Sequence, residues 1–339
     1  MIIIFSEKKD YSTNKVIDWL IYWNQKYKRY NGLAEDEVEI DFNKAMFSAQ
    51  IEDDNASLNI SIEGQSISNG IKSVWFRRPN KGVDDFYRPI LKNNSGIPRV
   101  VFNSLLKSHF TIFKDLLVQF YLQFKNLGSY SITGLNKPKV LLLASKHGLN
   151  IPKTLITNST NELRRFFESN NQKIICKPLY EGMFYFQKNK NYGFGEGTNL
   201  IEDINVFGEK FAPSLFQECI KKEYEIRIVF LNNNLYSMCI FSQNNTKTMI
   251  DFRNYDEKKP NRMIPYLLVD SEAQKIRNLM ADIGLNMGSI DLIKAQNGKY
   301  YFLEINPVGQ YDFVSYHCNY HIHREIAEFL SDEKQSMFY

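Results

Sequence analysis

The chain has 339 residues, 43% hydrophobic and 14% aromatic, with 42 Lys and Arg against 38 Asp and Glu for a formal net charge of +4. That is long enough for two or three domains with real cores and too apolar for disorder. So small a charge argues against a dedicated nucleic-acid binder, which concentrates basic residues on one face. Cys176, Cys219, Cys239 and Cys318 have no paired spacing and read as reduced thiols rather than a disulfide frame or zinc site. The apolar run after Met1 is too short for a signal peptide, and no later stretch reaches membrane-spanning length. The expectation is a cytoplasmic protein with no membrane or nucleic-acid partner.

Along the chain, residues 2 to 5 read as a short apolar strand. Thr13 is placed to cap a helix carrying Val16, Ile17, Leu20 and Trp23 on one side. Short strands follow at residues 47 to 51, 58 to 62 and 74 to 76, and a strong helix at about 104 to 124. Residues 1 to 130 are expected to form one small α/β domain. The stretch Gly128-Ser-Tyr-Ser-Ile-Thr-Gly134 reads as a linker. A helix then runs from about 138 to 147, with Pro138 suited to its first position and Gly148 to the position past its end. Strands alternate with short helices up to Asn306, which indicates α/β or α+β lobes. The predicted division is a central lobe at 131–213, a C-terminal lobe at 214–330 and a polar tail at 331–339.

Lys177 ends the apolar strand KIICKP. A cation there is costly unless an anion such as phosphate meets it or its amine snorkels to solvent. Lys137, taken alone, is a surface lysine beside a helix start. Gly182, Gly193, Gly195 and Gly197 suggest a hairpin able to close over phosphates, or a plain glycine-rich surface hairpin, and no GKS or GKT marks a P-loop. Residues 214–230, SLFQECIKKEYEIRIVF, read as strand, break, strand. The break can offer backbone groups to an adenine edge and Glu225 can take ribose hydroxyls. Alternation puts Glu223, Glu225 and Arg227 on one face, as a salt-bridged edge strand also would.

The segment from 288 to 310, GSIDLIKAQNGKYYFLEINPVGQ, holds the most chemistry. Asn297-Gly298 signals a two-residue hairpin turn. Counted back from that turn, Asp291 falls opposite Glu304, with Asn306 on the same face. Facing carboxylates repel, so removing one charge by Glu304→Gln should hold or raise metal-free stability. One or two Mg²⁺ reverse the repulsion, because a hard cation takes oxygen ligands and fills its octahedron with phosphate and water. Two solvent-facing acids on an ordinary hairpin are the alternative. His317, His321 and His323 lack HExxH spacing and are expected on a helix surface.

The order of these signals says more than any one of them. A lysine before a helix ending in Gly-hydrophobic-x-Ile-Pro-x-Thr, a strand ending in Lys-Pro, a Gln-Glu-x-hydrophobic hinge and then Asp…Glu-x-Asn resembles the ATP-grasp superfamily over residues 131 to about 315. The resemblance implies an ATP-grasp fold behind an N-terminal pre-ATP-grasp α/β domain, and ATP-dependent, ADP-forming activation of a carboxylate. It implies that Lys137 and Lys177 contact the phosphates, and that Gln217, Glu218, Cys219 and Ile220 hold adenine. Glu225 would bind ribose, with Glu223 as fallback, and Asp291, Glu304 and Asn306 would carry two Mg²⁺. The segment DFRNYD is similar to the Asp-Phe-Arg segment of the ribosomal-protein glutamate ligases, which aims Arg253 at the transferred phosphoryl group. Arg227 is the second candidate for reading the acceptor carboxylate.

Within the superfamily, WFRRP at 75–79, EIRIVF at 225–230 and EINPVGQYDFVSYHCNY at 304–320 resemble the graspetide maturases of microviridin-type pathways, more narrowly the grasp-with-spasm peptide maturases. That implies a ribosomal precursor peptide as partner, its leader docking on the central lobe. A core Asp or Glu would be phosphorylated and attacked by a Thr or Ser hydroxyl, or by Lys, closing an ω-ester or ω-amide ring. The loop after Lys177 departs from the glutamate ligases in being aromatic. An amino-acid ligase like those enzymes and a non-catalytic peptide-binding homologue share the fold. The roles of Arg77 and Arg78 and the oligomeric state, a homodimer included, stay open.

Overall fold

The structure, a computed structural model, describes residues 1–7, 9–30, 47–52, 57–62, 65–66, 70–78, 99–179, 184–186, 193–195 and 197–332. It divides into two compact units, Met1–Thr133 with His321–Tyr339, and Gly134–Tyr320.

The first unit begins with β1 (Ile2–Phe5), α1 (Tyr11–Tyr22) and β2 (Tyr27–Tyr30). A separate antiparallel sheet follows, made of β3 (Phe47–Glu52), β4 (Ser57–Ile62) and β5 (Gln65–Ser66). Then come β6 (Ser73–Phe76), α2 (Arg99–Leu122) and β7 (Lys125–Gly128). The parallel sheet runs β2-β1-β6-β7. Strands buried on both faces read as unbroken apolar runs, and Ile2, Ile3, Ile4, Val74, Trp75 and Phe76 are buried.

Helix α1 starts before Thr13 because Asp10 is its cap. Its Oδ1 accepts from the Ser12 and Thr13 amides at 3.1 and 3.4 Å. Thr13 is instead buried, its hydroxyl 2.8 Å from Ser6 Oγ. The other Asp10 oxygen lies 3.0 Å from Nε of both Arg77 and Arg78. The Arg-Arg pair after β6 is thus tied to the start of α1.

The second unit opens with α3 (Lys137–Lys146), where Asn136 accepts from the Lys139 amide at 3.0 Å and Pro138 sits in the first turn. Next are β8 (Thr154–Ser159), α4 (Thr160–Ser169), β9 (Ile174–Lys177), the short pair β10 (Phe184–Phe186) and β11 (Gly193–Gly195), β12 (Asn199–Ile201) and β13 (Lys210–Glu218). An antiparallel sheet runs β12-β9-β13-β8. Leu163 and Phe167 of α4 pack on Ile174, Ile204 and Phe216 of its core. The glycine-rich stretch does form a hairpin, with Phe184 opposite Gly195 and Phe186 opposite Gly193; Gly182 lies outside the described residues.

A second antiparallel sheet is built from β14 (Lys222–Leu231), β15 (Asn234–Phe241), β16 (Arg262–Tyr266), β17 (Met287–Ala295) and β18 (Tyr300–Asn306), in the order β16-β15-β14-β17-β18. Helices α5 (Asp270–Ile283) and α6 (Asp312–Cys318) accompany it. The last helix, α7 (Ile322–Ser331), packs on α1, β6 and β7 of the first unit.

Two expected boundaries differ. Strand β13 stays in the sheet of β8 and β9 as far as Glu218, so the division near 213 falls inside one strand. Residues 322–331 join the first unit, because α7 buries Ile322, Ile326, Ala327 and Leu330 there and Ser73 Oγ donates to the Leu330 carbonyl at 2.6 Å. His323 is buried with that face, contrary to expectation, whereas His317 and His321 are exposed. All four cysteines are free. Among the described residues no helix is long and apolar enough to cross a membrane.

Asp10→Ala removes a helix cap and a buried counter-charge together and is expected to cost about 3 kcal/mol or more. Asp10→Asn keeps an acceptor for the cap and loses only the charge. Thermal unfolding should place Asn between Ala and the unaltered protein; an Asn variant no more stable than Ala would remove the cap from the account.

Candidate active site

The hairpin that carries the acids is not the one the turn signal predicts. The Ala295 amide donates to the Lys299 carbonyl and the Gly298 amide to the Ala295 carbonyl, both at 2.9 Å, with Gly298 at φ +81°. This is a three-residue loop closed by a left-handed glycine. One extra loop residue would by itself turn β18 over and send Glu304 to the other face. A bulge at Leu303 undoes the slip: Leu292 pairs with Phe302, yet Asp291 pairs with Glu304. The predicted juxtaposition holds through two compensating irregularities. Asn306 lies opposite Ser289, and its Oδ1 accepts from the Val308 amide at 3.0 Å. Gly309 closes the turn so tightly that a Cβ there would lie 2.0 Å from Ser289 Oγ and 2.8 Å from the Ser289 nitrogen.

Cations surround the two carboxylates. Arg227 sits opposite Asp291 across β14 and β17, and its Nη1 lies 2.6 and 2.7 Å from the two Asp291 oxygens. Lys137 Nζ is 3.4 Å from Glu304 Oε2, and Arg253 Nη1 is 3.5 Å from Oε1. Arg253 is held by Asp251, whose Oδ1 accepts from its amide and its Nε at 3.0 and 2.9 Å. Burial alone would raise the Glu304 pKa, but Arg253, Lys137, Lys177 and Arg227 overcome it and hold the acid below its ordinary value. Burial also works to raise Asp251, and the charge and hydrogen bonds of Arg253 bring it below normal. For Lys177 burial is the largest influence and lowers its pKa; Arg253 and Lys137 add to that while Glu304 and Asp251 oppose it. An ammonium so placed gains most from an arriving anion.

A cavity of about 490 Å³ adjoins this cluster, and Lys177 and Arg253 line it. Glu218, Cys219, Ile220 and Glu225 line it as well. Cys219 and Ile220 belong to neither β13 nor β14, so their peptide groups are not committed to a ladder. Gln217 is not in the lining: it is buried within β13, and its Nε2 donates to Thr154 Oγ1 at 3.0 Å. Glu223 is not there either. It is an extra residue between Lys222, opposite Ala295, and Tyr224, opposite Lys294, and is exposed. That bulge breaks the expected alternation of Glu223, Glu225 and Arg227. It turns Lys222 inward instead, where sequence reasoning had not placed it. Asp251, inside the DFRNYD segment, was also missed, although its spacing of two from Arg253 permits the local ion pair seen here.

The donor set fits a hard divalent cation. Asp291, Glu304 and Asn306 offer oxygen ligands, and among the described residues no group of three or more His, Cys, Asp and Glu is placed to hold a metal ion by itself. Two carboxylates and an amide oxygen suit Mg²⁺, which keeps several positions for water and phosphate.

The surrounding charges reverse the sign expected for Glu304→Gln. Lys137, Lys177, Arg227 and Arg253 face Asp251, Asp291 and Glu304. Deleting a carboxylate leaves cations facing cations, so metal-free stability should fall by about 1–2 kcal/mol, or a few degrees in Tm. An unchanged or higher Tm would mean that repulsion between Asp291 and Glu304 outweighs the cations. Gly309→Ala should displace the turn after Asn306 and lower activity at least about tenfold with Lys177 and the cavity untouched; near-normal activity would show that the turn has slack.

No family model matches the chain, and no curated protein matches it. Solved structures do. Over 98% of this chain and 97% of the other, it aligns with a RiPP-associated ATP-grasp ligase of Chryseobacterium gregarium, solved with ADP and a leader and core peptide, at 22% identity and a TM-score of 0.71. The macrocyclase MdnC of Microcystis aeruginosa MRC, bound with precursor peptide MdnA, aligns over 98% and 99% at 24% identity and a TM-score of 0.67. The ATP-grasp ligase PsnB, solved with minimal precursor, Mg and ADP, aligns over 97% and 96% at 17% identity and a TM-score of 0.66. The chain therefore has the ATP-grasp fold, from its N-terminal α/β unit through the acid-bearing hairpin.

Proposed function

We propose that the chain is an ADP-forming carboxylate ligase that closes side-chain rings in a ribosomally made peptide. The observation that carries the ligase reading is the convergence of Lys137, Lys177, Arg227 and Arg253 on Asp291 and Glu304 beside the cavity. A carboxylate is a poor electrophile, and phosphorylating it requires charge neutralisation and alignment more than covalent help. In this reading Glu218, Cys219, Ile220 and Glu225 receive the nucleoside, and Lys137 and Lys177 the phosphates. Bound Mg²⁺ on Asp291, Glu304 and Asn306 would neutralise phosphate charge. Arg253, held by Asp251, faces the transferred phosphoryl group. Arg227 orients Asp291 and lies nearest for an acceptor carboxylate, which a planar guanidinium binds through two oxygens.

The chemistry balances as two displacements. A peptide Asp or Glu oxygen takes the terminal phosphoryl group of ATP and ADP leaves. A Thr or Ser hydroxyl, or a Lys amine, of the same peptide then attacks the acyl carbon, loses its proton and expels phosphate. Support for a peptide substrate comes from the near full-length likeness to ligases solved with leader, core or precursor peptides. The segments WFRRP, EIRIVF and EINPVGQYDFVSYHCNY support it too. A step that consumes ATP belongs in the cytoplasm.

Given ATP, Mg²⁺ and a leader-bearing peptide with a Thr- and Glu-rich core, the product should weigh one water less per ring. Separating leader from core should slow closure sharply, since tethering raises the effective concentration of the core at the site. Tandem mass spectrometry should join each Thr, Ser or Lys to an Asp or Glu. A product heavier than its substrate, or turnover that only free amino acids stimulate, would replace ring closure with amino-acid ligation.

A further inference from the structure

The cavity lining contains a group that none of the preceding roles uses. Lys222 is 6% exposed and lines the cavity beside Glu225, which is 8% exposed. A regular strand would put residues 222 and 225 on opposite faces. The bulge at Glu223 puts them on the same one. Lys222 Nζ donates to Glu225 Oε1 at 2.7 Å and to the Ile250 carbonyl at 3.0 Å. Glu225 Oε1 also accepts from Ser242 Oγ at 2.7 Å.

These bonds leave a definite remainder. An ammonium has three protons, and among the described residues two of those on Lys222 are committed. A carboxylate has two oxygens, and among the described residues the hydrogen bonds to Glu225 all fall on Oε1. What the pair offers a ligand is one charged donor beside one charged acceptor. A single carboxylate could only accept from a sugar diol. A donor next to an acceptor matches a vicinal diol better, because each hydroxyl both gives and takes a hydrogen bond. The positive charge also offsets what it costs to bury Glu225.

We infer that Lys222 is a specificity-determining residue: with Glu225 it reads the hydroxyls of the nucleotide sugar, donating to one while Glu225 accepts from one. The inference rests on the nucleotide reading of the cavity. A lysine that merely balanced the charge of Glu225 would affect all nucleotides alike, whereas one that touches the sugar discriminates among them.

The test is binding of ADP, 2′-deoxy-ADP and 3′-deoxy-ADP to the full chain with Mg²⁺, by calorimetry. The unaltered protein should prefer ADP to at least one deoxy analogue by about tenfold, the worth of one charged hydrogen bond. Lys222→Met should lose most of that preference, with the loss confined to ADP and the disfavoured analogue bound as before. If Lys222→Met does not fold, the double variant Lys222→Met with Glu225→Gln, which buries no unpaired charge, should show the same loss of preference. A preference that survives either variant, or equal weakening of all three nucleotides, would overturn the inference. So would ADP binding by the unaltered protein with no preference. No ADP binding by the unaltered protein would overturn the nucleotide reading itself.

Discussion

The site depends on one electrostatic arrangement: two carboxylates fixed opposite each other on β17 and β18 and held there by cations from other elements. Arg227 comes from the neighbouring strand, Lys137 from the first turn of α3, Lys177 from the end of β9, and Arg253 from the loop before β16. Two like charges at that spacing are a liability in an ordinary sheet. Here each has a cationic partner that offsets the repulsion. The same cations are then at hand when phosphate charge enters, which is what phosphoryl transfer requires of a protein. Residues that steady the two carboxylates and residues that would serve the reaction are one set.

Backbone irregularity, more than regular structure, aims these side chains. The three-residue loop at Gly298 and the bulge at Leu303 cancel each other to keep Glu304 facing Asp291. The bulge at Glu223 brings Lys222 to Glu225 and sends Glu223 to solvent. Gly309 lets the chain after Asn306 turn against Ser289, where any side chain would collide. Bulges beside active sites commonly re-aim a side chain in this way.

That explains which parts were legible in the sequence. The apolar runs IIIF and SVWF, the cap and proline around α3, and the strand-break-strand at 214–230 are local signals, and each gave the right element. The facing of Asp291 and Glu304 was also read correctly, though from a two-residue turn that does not form. What failed needed knowledge of register or of packing at long range. Strict alternation put Glu223 on one face with Glu225 and Arg227 and missed Lys222, because nothing in KKEYE announces a bulge. Gln217, assigned with Glu218, Cys219 and Ile220 to the adenine edge chiefly by backbone groups, lies within β13 with its side chain on Thr154, outside the cavity lining. Repulsion between the acids, taken alone, leaves out Arg227 and Lys137, which reach the pair from distant parts of the sequence and give Glu304→Gln the opposite expected sign. Asp10 outcompeted Thr13 as helix cap because it also answers Arg77 and Arg78.

The central claim is that this cation cluster moves a phosphoryl group onto a peptide carboxylate. Heavy oxygen follows that group directly. A leader-bearing peptide whose core Asp and Glu carboxyls carry ¹⁸O is incubated with unlabelled ATP and Mg²⁺, and the released phosphate is analysed by mass spectrometry. Activation through an acyl phosphate delivers one labelled oxygen to each phosphate formed with a ring. Ring closure with phosphate free of label would contradict the account.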